Sequence, residues 1–425
     1  MHISLDSALG QQRRLNQVGE TISSIAAPTA AYSLRSITGG DPEAVRVRRS
    51  SDDSEQDFTV SGVSSGALVN FVNAEVLVNQ TDASWTGWSN VGNASSSTSG
   101  GAITVTGATA ANNDGIRYNA FLPLTSNKYR FVFSVSALKL DGATSFQLKG
   151  NGNNIVTSIT STGSNSVEHT VDSGGWGSFI NFTLIGNASS GASITIDSLQ
   201  IYSIAGDGFV ETWYDQLGSS NVTQSTSTKQ PKIVDGGALL QDANGNPYLE
   251  FDGTDDFYNI NKTTFRNVSY GYISTVTQYD DISARNEPAY YASGGTSGMQ
   301  SRAILGKINS SGAKFVAGGR RVDGGGFRSS AETADTNKNI LTGLYQWGDG
   351  EVQLFVNGAA KTAASFLSGA GATSDTDSNS AFLGRFGSHY YDGKIYELIL
   401  YNTDQSGNRQ ALETNMANEY NITLS

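Results

Sequence analysis

At 425 residues, with 49 Gly, only 6 Pro and no Cys, the chain has room for two or three turn-rich domains and excludes disulfides, thiolate metal sites and cysteine nucleophiles. A formal charge of −12 argues against a nucleic-acid partner, which would need clustered Lys and Arg. No window approaches ~18 apolar residues and the opening MHISLDSALGQQRRLN has no charged segment followed by an apolar core, so neither membrane insertion nor classical secretion is expected.

Residues 1–28 are polar, with Leu15, Val18, Ile22 and Ile25 at helical spacing. They read as a short amphipathic helix or N-terminal arm, packed on its own domain or docked onto a larger assembly or sister chain. Beyond Ala30, Val45 and Val47 alternate with Arg46 and Arg48, a half-buried strand with a basic face. Asp52, Asp53, Glu55 and Asp57 follow at once, and an Arg–carboxylate network is expected there, the alternative being a polar ligand or cation site.

Residues 67–205 read as a self-contained run of strands separated by Gly-, Asn- and Ser-rich turns. The strands predicted are Leu68 to Phe71, Ile103 to Val105, Tyr129 to Val135, Ser145 to Leu148, Ser166 to Val171, Phe179 to Leu184 and Ile194 to Tyr202. Then comes GDGFVETWYDQLG, Gly206 to Gly218, with a strand over Phe209 to Tyr214. It marks the point where a domain begun near Ala30 resumes after an insertion. Further strands are predicted at Tyr248 to Phe251, Tyr270 to Gln278, Ala303 to Gly306, Lys314 to Ala317, Asn339 to Trp347, Val352 to Val356 and Lys394 to Tyr401, with a hairpin turn at Asn357-Gly358. The imperfect alternation of Ile395, Leu398 and Leu400 suggests a strand buried on both faces. Leu412, Met416 and Tyr420 predict that Asp404 to Tyr420 forms one C-terminal helix covering a sandwich edge.

The segments AYSLRSI, AVRVRRSSDDSEQDF, GDGFVETWYDQLGSSNVTQSTSTKQPKIV and YLEFDGTDDF occur in that order. Together they resemble the concanavalin-like β-sandwich module of tailed-bacteriophage structural proteins, itself similar to the catalytic domain of family 54 α-L-arabinofuranosidases. LTGLYQWGDGEVQLFVNGAAKTAAS and AFLGRFGSHYYDGKIYELILYN resemble the close of a laminin-G or concanavalin-like sandwich. Within 67–205, ASWTGWSN, KYRFVFSVSAL and SITIDSLQIYSI resemble jelly-roll carbohydrate-binding modules. The fold expected is therefore all-β: a concanavalin-like β-sandwich over 29–66 and 206–425, interrupted by an inserted jelly-roll β-sandwich over 67–205, with an N-terminal arm over 1–28 and a C-terminal helix.

Trp85, Trp88, Tyr118 and Trp176 lie in Gly- or Ser-rich contexts and are the candidates for stacking on sugar rings, against the plainer reading of partly buried packing. Asp252, Asp255 and Asp256 fall within five positions; they are spaced to hold Ca²⁺ with loop carbonyls or to cap a turn. No other cofactor is expected. Asp215, Glu250, Asp252, Glu351 and Glu397 show no spacing that argues for a glycosidase pair, and no HExxH, Gly-x-Ser-x-Gly or phosphate-loop motif occurs. The resemblance implies a non-enzymatic virion structural protein on the virion surface, a head fibre, capsid decoration or tail-associated appendage. It would join other virion proteins through the arm, form a homo-oligomer and bind a glycan. An arabinofuranosidase-type glycoside hydrolase and a non-phage lectin or adhesin are the alternatives.

Overall fold

The computed structural model describes residues 20–425 other than 74, 81–84, 108–113, 120–127, 151–153, 171–178, 187–190, 204–205, 219, 284, 296–300 and 310. The described chain is nearly all β, in antiparallel sheets. The residues flanking 75–203 build one sandwich. Its ladder runs from Arg328–Thr333 through Ala313–Gly319, Ser301–Asn309, Glu287–Ser293, Ala381–Leu383 and Tyr258–Asn259 to Val222–Thr223 and Gly208–Trp213. From Gly208–Trp213 it continues through Lys232–Asp235 and Leu249–Asp252 to Asp392–Tyr401, Gly271–Tyr279, Asn339–Gln346 and Glu351–Val356. Gly208–Trp213 thus sits where the two halves of the ladder meet, and it also pairs with Glu43–Arg49. Its apolar side buries Val210 and Trp213.

Between the layers lies a core that includes Tyr32, Val47, Trp213, Tyr290, Leu305, Phe315, Trp347 and Leu398. Both outer faces of the sandwich are apolar too, and they are covered differently. One carries Tyr272, Val276, Ile340, Tyr396, Ile399 and Tyr401 beneath the helix Arg409–Tyr420, whose Leu412, Met416 and Tyr420 are buried there. The helix therefore covers a face, not an edge as its sequence suggested, because the strands beneath offer an apolar surface wide enough for three turns. Asp392–Tyr401 is buried on both sides: Ile395, Leu398 and Leu400 point to the inner core, Tyr396, Ile399 and Tyr401 to the helix. A register shift opposite Val276 and Thr277 accounts for its broken alternation. A buried ion pair pins this layer, with Arg35 Nε 2.6 Å from Glu397 Oε2 and the Tyr420 hydroxyl donating to the same oxygen at 3.0 Å.

The short helix Ile22–Ile25 is capped by Thr21, whose hydroxyl oxygen accepts from Ser24 N at 3.1 Å. Ile22 is fully buried beside the C-terminal helix, so this part of the expected arm packs on its own body. The Arg–carboxylate network forms as read: Arg46 pairs with Glu55 and Asp57, Arg48 with Asp53, Arg49 with Asp52. Residues expected as a strand at Leu68 to Phe71 form instead the helix Ala67–Val72. Leu68 and Val72, four apart, both point into the sandwich core, which the helical period satisfies and a period of two does not.

The stretch 75–203 makes two sheets around a second core. Trp88–Val91, Gly115–Tyr118, Ile180–Ile185, Ser145–Gly150 and Asn154–Ile159 form the first. Gly163–Thr170, Lys128–Lys139, Ala192–Ser203, Ala102–Gly107 and Ser95–Ser99 form the second, with Glu75–Gln80 also on Ala192–Ser203. Phe131, Phe133, Phe146, Leu148, Phe182 and Ile194 fill the space between. The chain leaves and rejoins the sandwich at neighbouring points: a Cβ on Gly206 would sit 2.8 Å from the carbonyl oxygen of Val72.

Candidate functional site

The aromatic candidates divide by burial. Trp85, a candidate for stacking on sugar, is only 3% exposed; its Nε1 donates to the Gly101 carbonyl at 2.8 Å and its ring belongs to the second core, as the packing alternative had it. It is a core residue because Trp88 closes over it edge-on at 5.5 Å. Trp88 and Tyr118 are directly opposed across their strands, half-buried, with rings 5.4 Å apart and Trp88 also 6.1 Å from Phe182. Gly87 makes room for this pair, since a Cβ there would meet Tyr118 at 2.8 Å. Trp176 and the end of the strand read at Ser166 to Val171 lie outside the described residues.

The three aspartates do come together, with carboxylate oxygens within 4.8 Å of one another. Asp252 is exposed, Asp255 half-buried and Asp256 only 5% exposed. Asp252 Oδ1 accepts from Thr254 N at 2.8 Å and Asp255 N at 3.2 Å, and Asp256 Oδ2 accepts from Asp252 N at 3.0 Å, the bonding of a capped turn. Burial, then the charge of Asp252, pushes the Asp256 carboxyl up to about 7. Two of the other carboxylates named from sequence are committed to structure. Asp215 accepts from the backbone of Ala31, Leu217 and Ser220, and Glu397 is the buried partner of Arg35.

Sequence reasoning missed the outer face opposite the C-terminal helix. One register row crosses six strands there: Asn259, Phe382, Tyr291, Ile304, Gly318 and Ser329. Tyr291, Ile304 and Val316 form a buried apolar floor, and Ile308, Phe327, Phe382 and Phe386 lie half-buried against it. A Cβ on Gly318 would come 2.7 Å from the Phe327 ring, so the missing side chain lets that ring lie down on the sheet. The two-residue hairpin Gly387-Ser388, with φ +62° at Gly387, turns Arg385-Phe386 back onto His389-Tyr390. It brings Phe386 edge-on to Tyr291 at 4.9 Å. Arg385 is caged, with its guanidinium 4.6 Å from the Phe257 ring, 4.9 Å from Phe382 and 5.4 Å from Tyr390, while its Nε donates to Gly387 O. Phe257 follows Asp256 directly, so the aspartate turn borders one end of this strip. At the other end the Arg320 guanidinium lies 5.5 Å over Phe327. The only hint in the sequence was the run RFGSHYY, aromatics around a Gly-Ser turn.

No protein-family model and no curated protein matches the chain. Among solved structures, the Ruminococcus gnavus IT-sialidase CBM40 is similar at 17% identity over 40% of this chain and 96% of that one, with a TM-score of 0.32. The same CBM40 bound to α2,3 sialyllactose matches 39% of this chain and 94% of that one, also at 17% identity and a TM-score of 0.32. Trypanosoma rangeli sialidase in complex with sialic acid is 9% identical over 78% of this chain and 63% of its own, with a TM-score of 0.33. At such TM-scores the similarity carries no weight for fold, ligand or activity.

Proposed function

We propose that the chain is a non-enzymatic, glycan-binding β-sandwich protein of a bacteriophage virion surface, a head fibre, capsid decoration or tail-associated appendage. The observation that carries the binding half is the strip of half-exposed rings Phe327, Phe382, Phe386 and Tyr390 with Arg320 and Arg385 on the outer face that no helix covers among the described residues. Flat apolar rings take the C–H faces of sugars, and guanidinium groups donate to hydroxyls. In a chain of charge −12, a face of arginines and rings is where an acidic body would accept a ligand and not merely repel its neighbours. The virion half rests on the sequence resemblance. Single sugar sites are weak, and repetition on a particle raises effective affinity by orders of magnitude.

The test is a glycan array probed with multivalent full-length protein. Phe382→Ala and Phe386→Ala, at half-exposed positions, are expected to lower binding about tenfold, the worth of one stacking contact, while the variants still unfold cooperatively with midpoints lowered by the loss of their packing on the floor. An array with no positive glycan, or variants that bind as well as the parent, removes the sugar-binding reading. Absence of the chain from purified particles of the phage that encodes it removes the virion reading.

A further inference from the structure

Arg320 differs from the other arginines of the sandwich. The remaining buried or half-buried ones, Arg35, Arg46, Arg48, Arg49, Arg302, Arg321, Arg385 and Arg409, each donate to a carboxylate, carbonyl or amide oxygen. Among the described residues the Arg320 guanidinium, half-buried, has no hydrogen-bond or ion-pair partner; its contacts are the Phe327 ring and the neighbourhood of Tyr291. Asp323, three positions on, is taken by Arg302 at 3.1 Å and by the hydroxyl of Thr376 and the backbone of Gly295. Strand alternation sets the geometry: Val316 and Gly318 point to the outer face and Arg320 continues that side, with its backbone N donating to Arg302 O. Phe327, resting on Gly318, supports the guanidinium from below and leaves its donor edge unoccupied.

Its five N–H donors face solvent and not a protein acceptor, and partial burial lowers the affinity of Arg320 for its proton. A planar carboxylate matches the guanidinium fork with two parallel bonds, which a single sugar hydroxyl does not. Resting on the sugar-binding reading above, we infer that this face takes an acidic sugar, a uronic or sialic-type residue whose carboxylate is held by Arg320 while its ring packs on Phe327 and the neighbouring phenylalanines.

The experiment uses the full chain and titrates oligogalacturonate and sialyllactose, each against its own methyl ester, together with a sulfated oligosaccharide. At least one of the two acids is expected to bind about tenfold or more tightly than its ester, the factor contributed by one charge-assisted pair. Arg320→Gln is expected to erase that difference, bringing the acid-to-ester affinity ratio to about one at whatever affinity the ester keeps, with Arg320→Lys intermediate because it keeps charge but loses the fork. An unfolding midpoint equal to the parent's shows that the variants are still folded. Equal binding of acid and ester by the parent overturns the inference while leaving the sugar-binding reading standing. Preference for the sulfated probe, or a preference for acid that survives Arg320→Gln, also overturns it, and binding of no sugar at all removes both.

Discussion

Asp256→Asn isolates one buried carboxyl. In the fold Asp256 is 5% exposed and titrates at about 7 where an ordinary aspartate titrates at 3.8, raised by burial and by Asp252. Between those values the unfolded chain has lost the proton and the folded chain keeps it, so the folded state binds more protons and stability falls as pH rises. The fall levels off above about 7. From pH 5 to about 7 is two units, each about 1.36 kcal/mol, so the wild type should lose about 2–3 kcal/mol through this group between pH 5 and pH 8. Asparagine mimics the neutral acid and keeps an oxygen for the Asp252 N–H, which donates at 3.0 Å. Urea unfolding of both proteins at pH 5 and pH 8 reads the difference directly: the variant should gain on the wild type by that amount at the higher pH. Parallel pH profiles for the two would refute the reasoning. The same pair of proteins decides between the turn and a cation at these aspartates, because Ca²⁺ held there would stabilise only the wild type at pH 8.

Three further outcomes are expected. Joining Asn73 to Gly206 in place of residues 74–205 should leave a cooperatively unfolding sandwich, since those ends are adjacent; an aggregated product would count against an inserted unit. Trp85→Ala should cost about 3–5 kcal/mol, as for a large buried aromatic, and be seen as loss of the second core's unfolding transition; a mild effect would return Trp85 to the rim. Removal of residues 1–28 should lower the unfolding midpoint because it strips Ile22 from its fully buried site, and incorporation of the truncated chain into particles at normal occupancy would rule out an anchoring arm.

The strands were legible wherever a period of two met a half-buried face, as at Val45, Arg46, Val47 and Arg48. They were misread where burial changed the period. Leu68 to Phe71 is apolar and short, which suits a strand, yet the core asks for Leu68 and Val72 on one side and so sets a helix. The candidate site was harder for a related reason. Its parts come from positions 257, 291, 320, 327, 382 and 385, and only the register of six strands sets Tyr291 beside Phe382 and brings the residues flanking those strands to the same face. Tryptophans in glycine-rich loops drew attention because exposure was inferred from sequence neighbours, but Trp85 shows that such a loop folds inward when its indole finds a carbonyl. Exposure belongs to the faces of the sandwich, not to the composition around a residue. Among the described residues one outer face is covered by a twelve-residue helix and the other carries its own rings and an arginine without a partner, and this asymmetry is what the proposed binding surface is built on.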